Sequence, residues 1–214
     1  MSKIDYSLYL VTDRGLSCGR SLEEIIEASV AGGATIVQLR EKDASTREFY
    51  RLAKRAKNFL HPRHIPLIIN DRIDIALAVK ADGLHIGQSD MPYPVARKLM
   101  GTQAIIGLSV ESVQDAIDAD GWDVDYLGIS PVFSTPTKTD IHHQLGLQGI
   151  RDIRAISRHT LVAIGGIHAH NTAEIIAAGA DSIAVVSDLC SAPDPCEAAQ
   201  KLWREIRRGR GELK

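Results

Sequence analysis

Short β-rich runs alternate with amphipathic, helix-like segments from one end of the chain to the other, and no other feature limits the possible folds so tightly. The strand-like runs are Ser7 to Thr12, Thr35 to Arg40, Pro66 to Asn70, Gly83 to Ile86, Ala104 to Leu108, Tyr126 to Ser130, Leu161 to Ile164 and Ser182 to Val186, eight in all. Between them the 3.6-residue period marks helices over Leu22 to Ala31, Arg47 to Phe59, Arg72 to Val79, Pro92 to Met100, Ser112 to Ala119, Gly149 to Ile156 and Thr172 to Ala178, with Pro195 to Arg207 as the last. Strands separated by helices cannot close as hairpins. They pair in parallel through βαβ crossovers.

Helix boundaries are written chemically as well. Ser21-Leu22-Glu23-Glu24 and Asn171-Thr172-Ala173-Glu174 have capping-box spacing, and Pro92 suits a first helical turn. Ala31-Gly32-Gly33-Ala34, Ala81-Asp82-Gly83 and Ala178-Gly179-Ala180-Asp181 share one form, a helix end turning into the next strand, which amounts to a weak internal repeat of the βα unit. No linker-like composition shift interrupts the 214 residues, so a single-domain α/β protein of TIM-barrel type, a (β/α)8 barrel over residues 1–208, is expected ahead of an open doubly wound sheet. Residues 209–214 read as a frayed, disordered tail, the end of the basic run Arg204 to Arg210.

Composition excludes several classes. Net charge is only −2 with basic residues dispersed, unlike a nucleic-acid footprint, and no apolar run reaches the length of a membrane span. The first residues lead directly into a strand without the pattern of a secretory signal, so a cytoplasmic location is expected. Cys18, Cys190 and Cys196 form no C-x-x-C pair and suggest neither a disulfide framework nor a zinc knuckle.

In a barrel of this kind chemistry belongs at the C-terminal ends of the strands. Those ends carry Gln38, Arg40 and Lys42; Asn70 and Asp71; His85 with Asp90 soon after; Ser109; Thr135, Thr137 and Lys138; Gly165 and Gly166; and Val186-Ser187. Alternation by two puts Gln38, Arg40 and Lys42 on one face, where two cations ending a buried strand call for an anionic partner. The strand could equally stop at Leu39 and leave Arg40 and Lys42 solvated beside Glu41 and Asp43. Asp71 and Asp90 end adjacent strands as Mg²⁺ anchors would, although either one alone reads as a helix cap. The hydroxyl-rich loop with Lys138, and the glycine pair after the seventh strand with Ser187 after the eighth, have the composition of phosphate cradles. A flexible surface loop and a turn-forming Gly-Gly are the plainer alternatives. His142-His143 and His168-x-His170 resemble metal pairs but read as solvated loop residues, and His61 and His64 as surface residues. His85, on an apolar strand, is the histidine of interest, with a satisfied core histidine as its alternative.

Taken together, Leu10-Val11-Thr12-Asp13, Val37-Gln38-Leu39-Arg40-Glu41-Lys42, Ile69-Asn70-Asp71-Arg72, Gly83-Leu84-His85-Ile86-Gly87-Gln88-Ser89-Asp90, Ile106-Gly107-Leu108-Ser109, Thr135-Pro136-Thr137-Lys138 and Ala163-Ile164-Gly165-Gly166-Ile167 resemble the thiamine phosphate synthase family across nearly the whole chain. The resemblance implies a (β/α)8 transferase. Its reaction joins 4-amino-5-hydroxymethyl-2-methylpyrimidine diphosphate to 4-methyl-5-(2-phosphoethyl)thiazole by a dissociative, Mg²⁺-assisted displacement that releases pyrophosphate. By position, Gln38, His85 and Ser109 would line the pyrimidine site; Arg40, Lys42, Asn70 and Lys138 would hold the diphosphate; Asp71 and Asp90 would hold Mg²⁺. Thr135, Thr137, Gly165, Gly166, Val186 and Ser187 would take the thiazole phosphate, and Arg40, Lys42, Ser109 and Lys138 would carry catalysis. The implied partners are these two small molecules, with neither nucleic acid nor membrane, and a homo-oligomer is allowed. Ile141-His142-His143-Gln144 departs from the family pattern after Lys138. Two competing readings are a thiazole tautomerase-like relative on the same barrel and a non-catalytic phospho-ligand binding protein. The first is opposed by the presence of Arg40, Lys42, Asp71, Asp90 and Lys138; the second would not need the carboxylates.

Overall fold

The eight strands close on themselves. In the computed structural model, which describes residues 4–134 and 144–213, they are β1 (Leu8–Val11), β2 (Ile36–Leu39), β3 (Leu67–Asn70), β4 (Gly83–Ile86), β5 (Ile105–Val110), β6 (Tyr126–Ile129), β7 (Thr160–Ile164) and β8 (Ser182–Val185), each parallel to its neighbours, with β8 returning to β1. Helices α1 (Leu22–Ala31), α2 (Thr46–Leu60), α3 (Ile73–Val79), α4 (Tyr93–Met100), α5 (Val113–Ala119), α6 (Gly146–Ile156) and α7 (Ala169–Ala177) occupy the crossovers. A short α8 (Ser187–Cys190) and the long α9 (Pro195–Gly209) follow β8.

The helices form because each has an apolar stripe, and several also have a chemical start. In α2 the buried positions Phe49, Ala53, Ala56 and Leu60 recur at helical spacing, and Ser45 accepts from the Glu48 amide at its start. The capping box expected at Ser21 is present: the Glu24 amide donates to Ser21 Oγ at 3.2 Å and the Ser21 amide donates to Glu24 Oε2 at 2.7 Å. The one expected at Asn171 is displaced. Helix α7 starts three residues earlier in register, with His168 as its N-cap, and Asn171 Oδ1 accepts from the His168 amide at 2.8 Å. Arg210, expected within a frayed tail, instead donates to Ser7 Oγ and to the Asp181 carbonyl beneath the barrel.

Alternation along the strands separates two cores. Leu8 and Leu10, Val37 and Leu39, Leu67 and Ile69, Leu84 and Ile86, and Ile106 and Leu108 face the helices. Tyr9, Ile36, Ile68, Ile105, Tyr126, Val162 and Ala184 face inward and pack on one another. Further along the same faces the inward positions become Gln38, Asn70 and His85, two residues on from Ile36, Ile68 and Gly83, and Ser109, two on from Gly107, so the interior is apolar below and polar toward the C-terminal mouth.

The floor is tight where the Tyr126 ring lies against the neighbouring strand β5. Gly107 on β5 is paired with Tyr126 on β6, and a Cβ on Gly107 would sit 2.0 Å from Tyr126 Cζ. A Cβ on Gly128 would come no closer than 3.1 Å to any atom, His85 Cε1 being the nearest. Gly107→Ala should therefore lower stability by about 1–3 kcal/mol through overpacking, and Gly128→Ala by clearly less. Denaturant midpoints of the two variants check this; equal midpoints would show that Tyr126 does not need the space at Gly107.

Candidate active site

A cavity of about 500 Å³ opens at the C-terminal ends of the strands. Gln38, Arg40 and Lys42 from β2 and its loop line it, with Asn70 and Asp71 after β3, His85 and Asp90 from the β4 side, and Ser109 on β5. Gly165, Gly166, Val186 and Ser187 line it from the β7 and β8 side. Strand β5 extends to Val110, so Ser109 lies within a strand and not just beyond one. Thr135, Thr137 and Lys138, like His142 and His143, lie outside the described residues.

Strand β2 does stop at Leu39, yet the alternation of side chains continues through the loop. Arg40 and Lys42 face the cavity while Glu41 between them turns away to Arg14 Nε at 2.7 Å. Burial raises the Glu41 carboxyl against the lowering effect of Arg14, whose other guanidinium branch holds Glu48 at 2.6 Å. Arg40 Nη1 reaches Asp13 Oδ2 at 3.1 Å, and its backbone amide donates to Thr12 Oγ1 at 3.1 Å. Lys42 Nζ lies 2.7 Å from Asp71 Oδ2. The two cations are thus held at the mouth by exchangeable carboxylate partners.

Neither Asp71 nor Asp90 caps a helix. Asp71 adopts a left-handed backbone conformation, φ 60°, and the N-caps of α3 and α4 are Arg72 and Pro92, without side-chain caps. The left-handed turn, closed by the Arg72 amide donating to the Asn70 carbonyl at 2.7 Å while the Asp71 amide donates to the His85 carbonyl on β4 at 2.9 Å, accompanies a carboxylate directed into the cavity. Asp90 Oδ2 accepts from the Gly87 amide at 2.7 Å. Burial raises the Asp90 carboxyl above the usual aspartate range; the Gly87 amide opposes this, and the neighbouring Asp71 carboxyl, within hydrogen-bonding reach, adds to it. Two carboxylates in mutual repulsion, with no third His, Cys, Asp or Glu gathered round them among the described residues, suit a hard dication that takes its remaining ligands from water or phosphate.

Across the mouth, Gly165 (φ 101°) and Gly166 (φ 61°) hold backbone conformations that favour glycine, and a Cβ on either would come within 2.7 Å of Pro131 or Ser134 atoms. Their carbonyls are turned away: Gly165 O accepts from the Phe133 amide at 3.1 Å and Gly166 O from Asn171 Nδ2 at 2.9 Å. His168 is not a merely solvated loop residue. Its Nδ1 lies 2.6 Å from Asp188 Oδ1, tying the loop after β7 to α8, and its ring stacks on His170.

Several lining groups escape a reading of strand ends. Tyr9 and Tyr126 form the cavity floor, and Gln88, whose Nε2 donates to the Ser109 carbonyl at 2.6 Å, forms part of its wall. Burial pushes both tyrosine hydroxyls upward, so each keeps its proton. A hydroxyl at an inward position of an otherwise apolar strand is the signal that identifies them in sequence.

A family model described as thiamine monophosphate synthase matches residues 8–189. The thiamine-phosphate synthase of Albidiferax ferrireducens is 53% identical over 199 residues, covering 93% of this chain and 91% of that protein. That of Syntrophomonas wolfei is 52% identical over 202 residues, covering 94% and 97%. Among solved structures, thiamine phosphate pyrophosphorylase from Pyrococcus furiosus superposes with a TM-score of 0.85 at 37% identity, covering 95% of this chain and 96% of that one. A 3-hexulose-6-phosphate synthase, at 15% identity and a TM-score of 0.69, shares the fold.

The carboxylate pair makes a prediction with a definite sign. A carboxyl raised in the folded state costs stability once pH exceeds its ordinary range, and costs nothing in acid. In EDTA at neutral pH, Asp90→Asn, which keeps an acceptor for the Gly87 amide, should raise the melting temperature by about 1–3 °C, and the gain should vanish below about pH 4. Thermal shifts in MgCl2 plus pyrophosphate, compared between the same variant and the unsubstituted protein, test whether the carboxylate pair takes a dication. A gain that persists in acid would contradict the repulsion.

Proposed function

The chain belongs to the thiamine monophosphate synthase family, and on that premise we propose that it joins 4-amino-5-hydroxymethyl-2-methylpyrimidine diphosphate to 4-methyl-5-(2-phosphoethyl)thiazole, giving thiamine phosphate and pyrophosphate. The observation that carries this reading is the polarity of one cavity. Arg40, Lys42 and the Asp71–Asp90 pair stand at the ends of β2 to β4, while the Gly165–Gly166 turn and Ser187 stand at the ends of β7 and β8. One cavity thus offers two separate anion sites, as a reaction between a diphosphate and a monophosphate requires.

Gln38, His85 and Ser109 line the same cavity and suit the pyrimidine ring. Arg40, Lys42 and Asn70 suit the diphosphate, with Lys138 proposed as a further cation on the leaving group. Thr135, Thr137, Gly165, Gly166, Val186 and Ser187 are proposed for the thiazole phosphate. Asp71 and Asp90 are the residues that would hold Mg²⁺, which when bound supplies neutralisation of the diphosphate charge.

The chemistry needs no protein nucleophile. The electron-rich aminopyrimidine stabilises positive charge on its methylene as the carbon–oxygen bond to pyrophosphate breaks, and the thiazole nitrogen supplies the electron pair for the new carbon–nitrogen bond. Arg40 and Lys42 would exchange Asp13 and Asp71 for diphosphate oxygens, so their stabilisation grows as charge collects on the leaving group. The half-buried glycine side would fix the thiazole in line, and the apolar floor below Gln38 would keep water from capturing the methylene.

Mixing both substrates with Mg²⁺ should yield thiamine phosphate, and much less with EDTA; absence of product under every condition would overturn the reading. Lys42→Ala and Arg40→Ala should each lower kcat roughly 100-fold, with KM for the thiazole phosphate nearly unchanged. Lys138→Ala should lose turnover far more than thiazole phosphate binding, and equal losses would contradict its assignment to the leaving group.

A further inference from the structure

Five side chains from five strands form one hydrogen-bonded line across the barrel interior. Gln38 Nε2 on β2 donates to Tyr9 Oη on β1 at 3.1 Å, and Tyr9 Oη lies 2.8 Å from Tyr126 Oη on β6. Tyr126 Oη lies 2.9 Å from His85 Nδ1 on β4, and His85 Nε2 lies 2.9 Å from Ser109 Oγ on β5. The line starts and ends on residues that face the cavity, and its middle is closed to solvent, with Tyr9 and Tyr126 each 1% exposed. The His85 ring stacks on Tyr126 at 5.6 Å and 19°, which fixes its plane.

Proton counting gives the line a direction. Each tyrosine hydroxyl has one proton to give, and a buried donor left without an acceptor is costly. With the Gln38 amide donating to Tyr9, the arrangement that gives every interior proton an acceptor runs Tyr9 to Tyr126 and Tyr126 to His85 Nδ1. The proton of a neutral His85 ring then sits on Nε2 and is donated to Ser109 Oγ. Ser109 accepts from within, and its own hydroxyl proton is directed to the cavity.

We propose that Tyr9 and Tyr126 are positioning residues that order this line in one direction, holding His85 as the Nε2–H tautomer so that Ser109 meets the substrate as a hydrogen-bond donor. The substrate part of this inference rests on the function proposed above; the ordering of the line does not. An opposite order, with Ser109 donating to His85 Nε2 and His85 Nδ1–H donating to Tyr126, requires Tyr9 to donate to a rotated Gln38 amide. Ser109 would then be an acceptor for the substrate, and the two orders place the imidazole proton on different nitrogens.

Long-range proton–nitrogen NMR on the ¹⁵N-labelled full chain reads that placement directly, with the His85 signal assigned by its loss in His85→Asn. The unsubstituted protein should show His85 protonated on Nε2. Tyr126→Phe removes the donor to Nδ1 and should turn the signal into a tautomer mixture, with kcat falling about tenfold for one lost hydrogen bond and KM for the thiazole phosphate unchanged. Tyr9→Phe leaves Tyr126 donating to His85 and should keep the Nε2–H signal. A His85 proton on Nδ1 in the unsubstituted protein, or a tautomer signal unmoved by Tyr126→Phe in a variant that melts normally, would overturn the proposal. The NMR readout needs no turnover, so a chain with the ordered line that makes no thiamine phosphate would refute the proposed function alone.

Discussion

Closure of the sheet is the constraint from which the rest of this molecule follows. With β8 hydrogen-bonded back to β1 there is no strand edge, and every strand is covered by helices on one face and by the opposite wall on the other. The interior admits only side chains that match in volume and satisfy their own polar groups. Tyr126 fits because Gly107 beside it has no side chain, and the Tyr9 and Tyr126 hydroxyls are buried at acceptable cost because they bond to one another. Neither fact is local to its strand.

The same two-residue period that fills the floor with Ile36 and Ile68 places Gln38 and Asn70 above them, so the packed base and the polar cavity are consecutive layers of one pattern. Charges at the mouth are paired but not committed. Lys42 is half exposed, and its bridge to Asp71 is worth little in water. A ligand that offers more negative charge than Asp71 therefore takes the cation at small cost. The Asp71–Asp90 pair is complementary: burial and the neighbouring Asp71 carboxyl raise the Asp90 carboxyl, while Lys42 opposes them. The site thus holds positive and negative groups close together.

Much of this could be read from the chain. All eight strands fall where β-rich runs occur, and Ser21 with Glu24 spells out the start of α1. The described residues at strand ends converge on one cavity because parallel strands put all their C-terminal ends on one side of the barrel. Other features resist such reading for specific reasons. Tyrosine is an ordinary strand former, so Tyr9 and Tyr126 carry no local sign of their bond, which spans 117 positions of sequence. Asp71 before Arg72 has the look of a helix cap, and only the turn at φ 60° directs it elsewhere. Asn171 satisfies the spacing of a cap residue, yet the chain leaves the barrel one turn earlier, and it serves as the third residue of α7 instead. The bond from His168 to Asp188 depends on β7 and β8 lying side by side.

The sequence by itself determined the periods, and with them the βα order, the parallel sheet and the kinds of residue that end each strand, because periodicity and capping act over a few neighbouring residues. Which of those residues pair was decided only by the tertiary structure. Arg40 with Asp13, Lys42 with Asp71, and the line from Gln38 to Ser109 all join different strands. Their distances are set by register around a closed ring, a property of the whole barrel that no single segment contains.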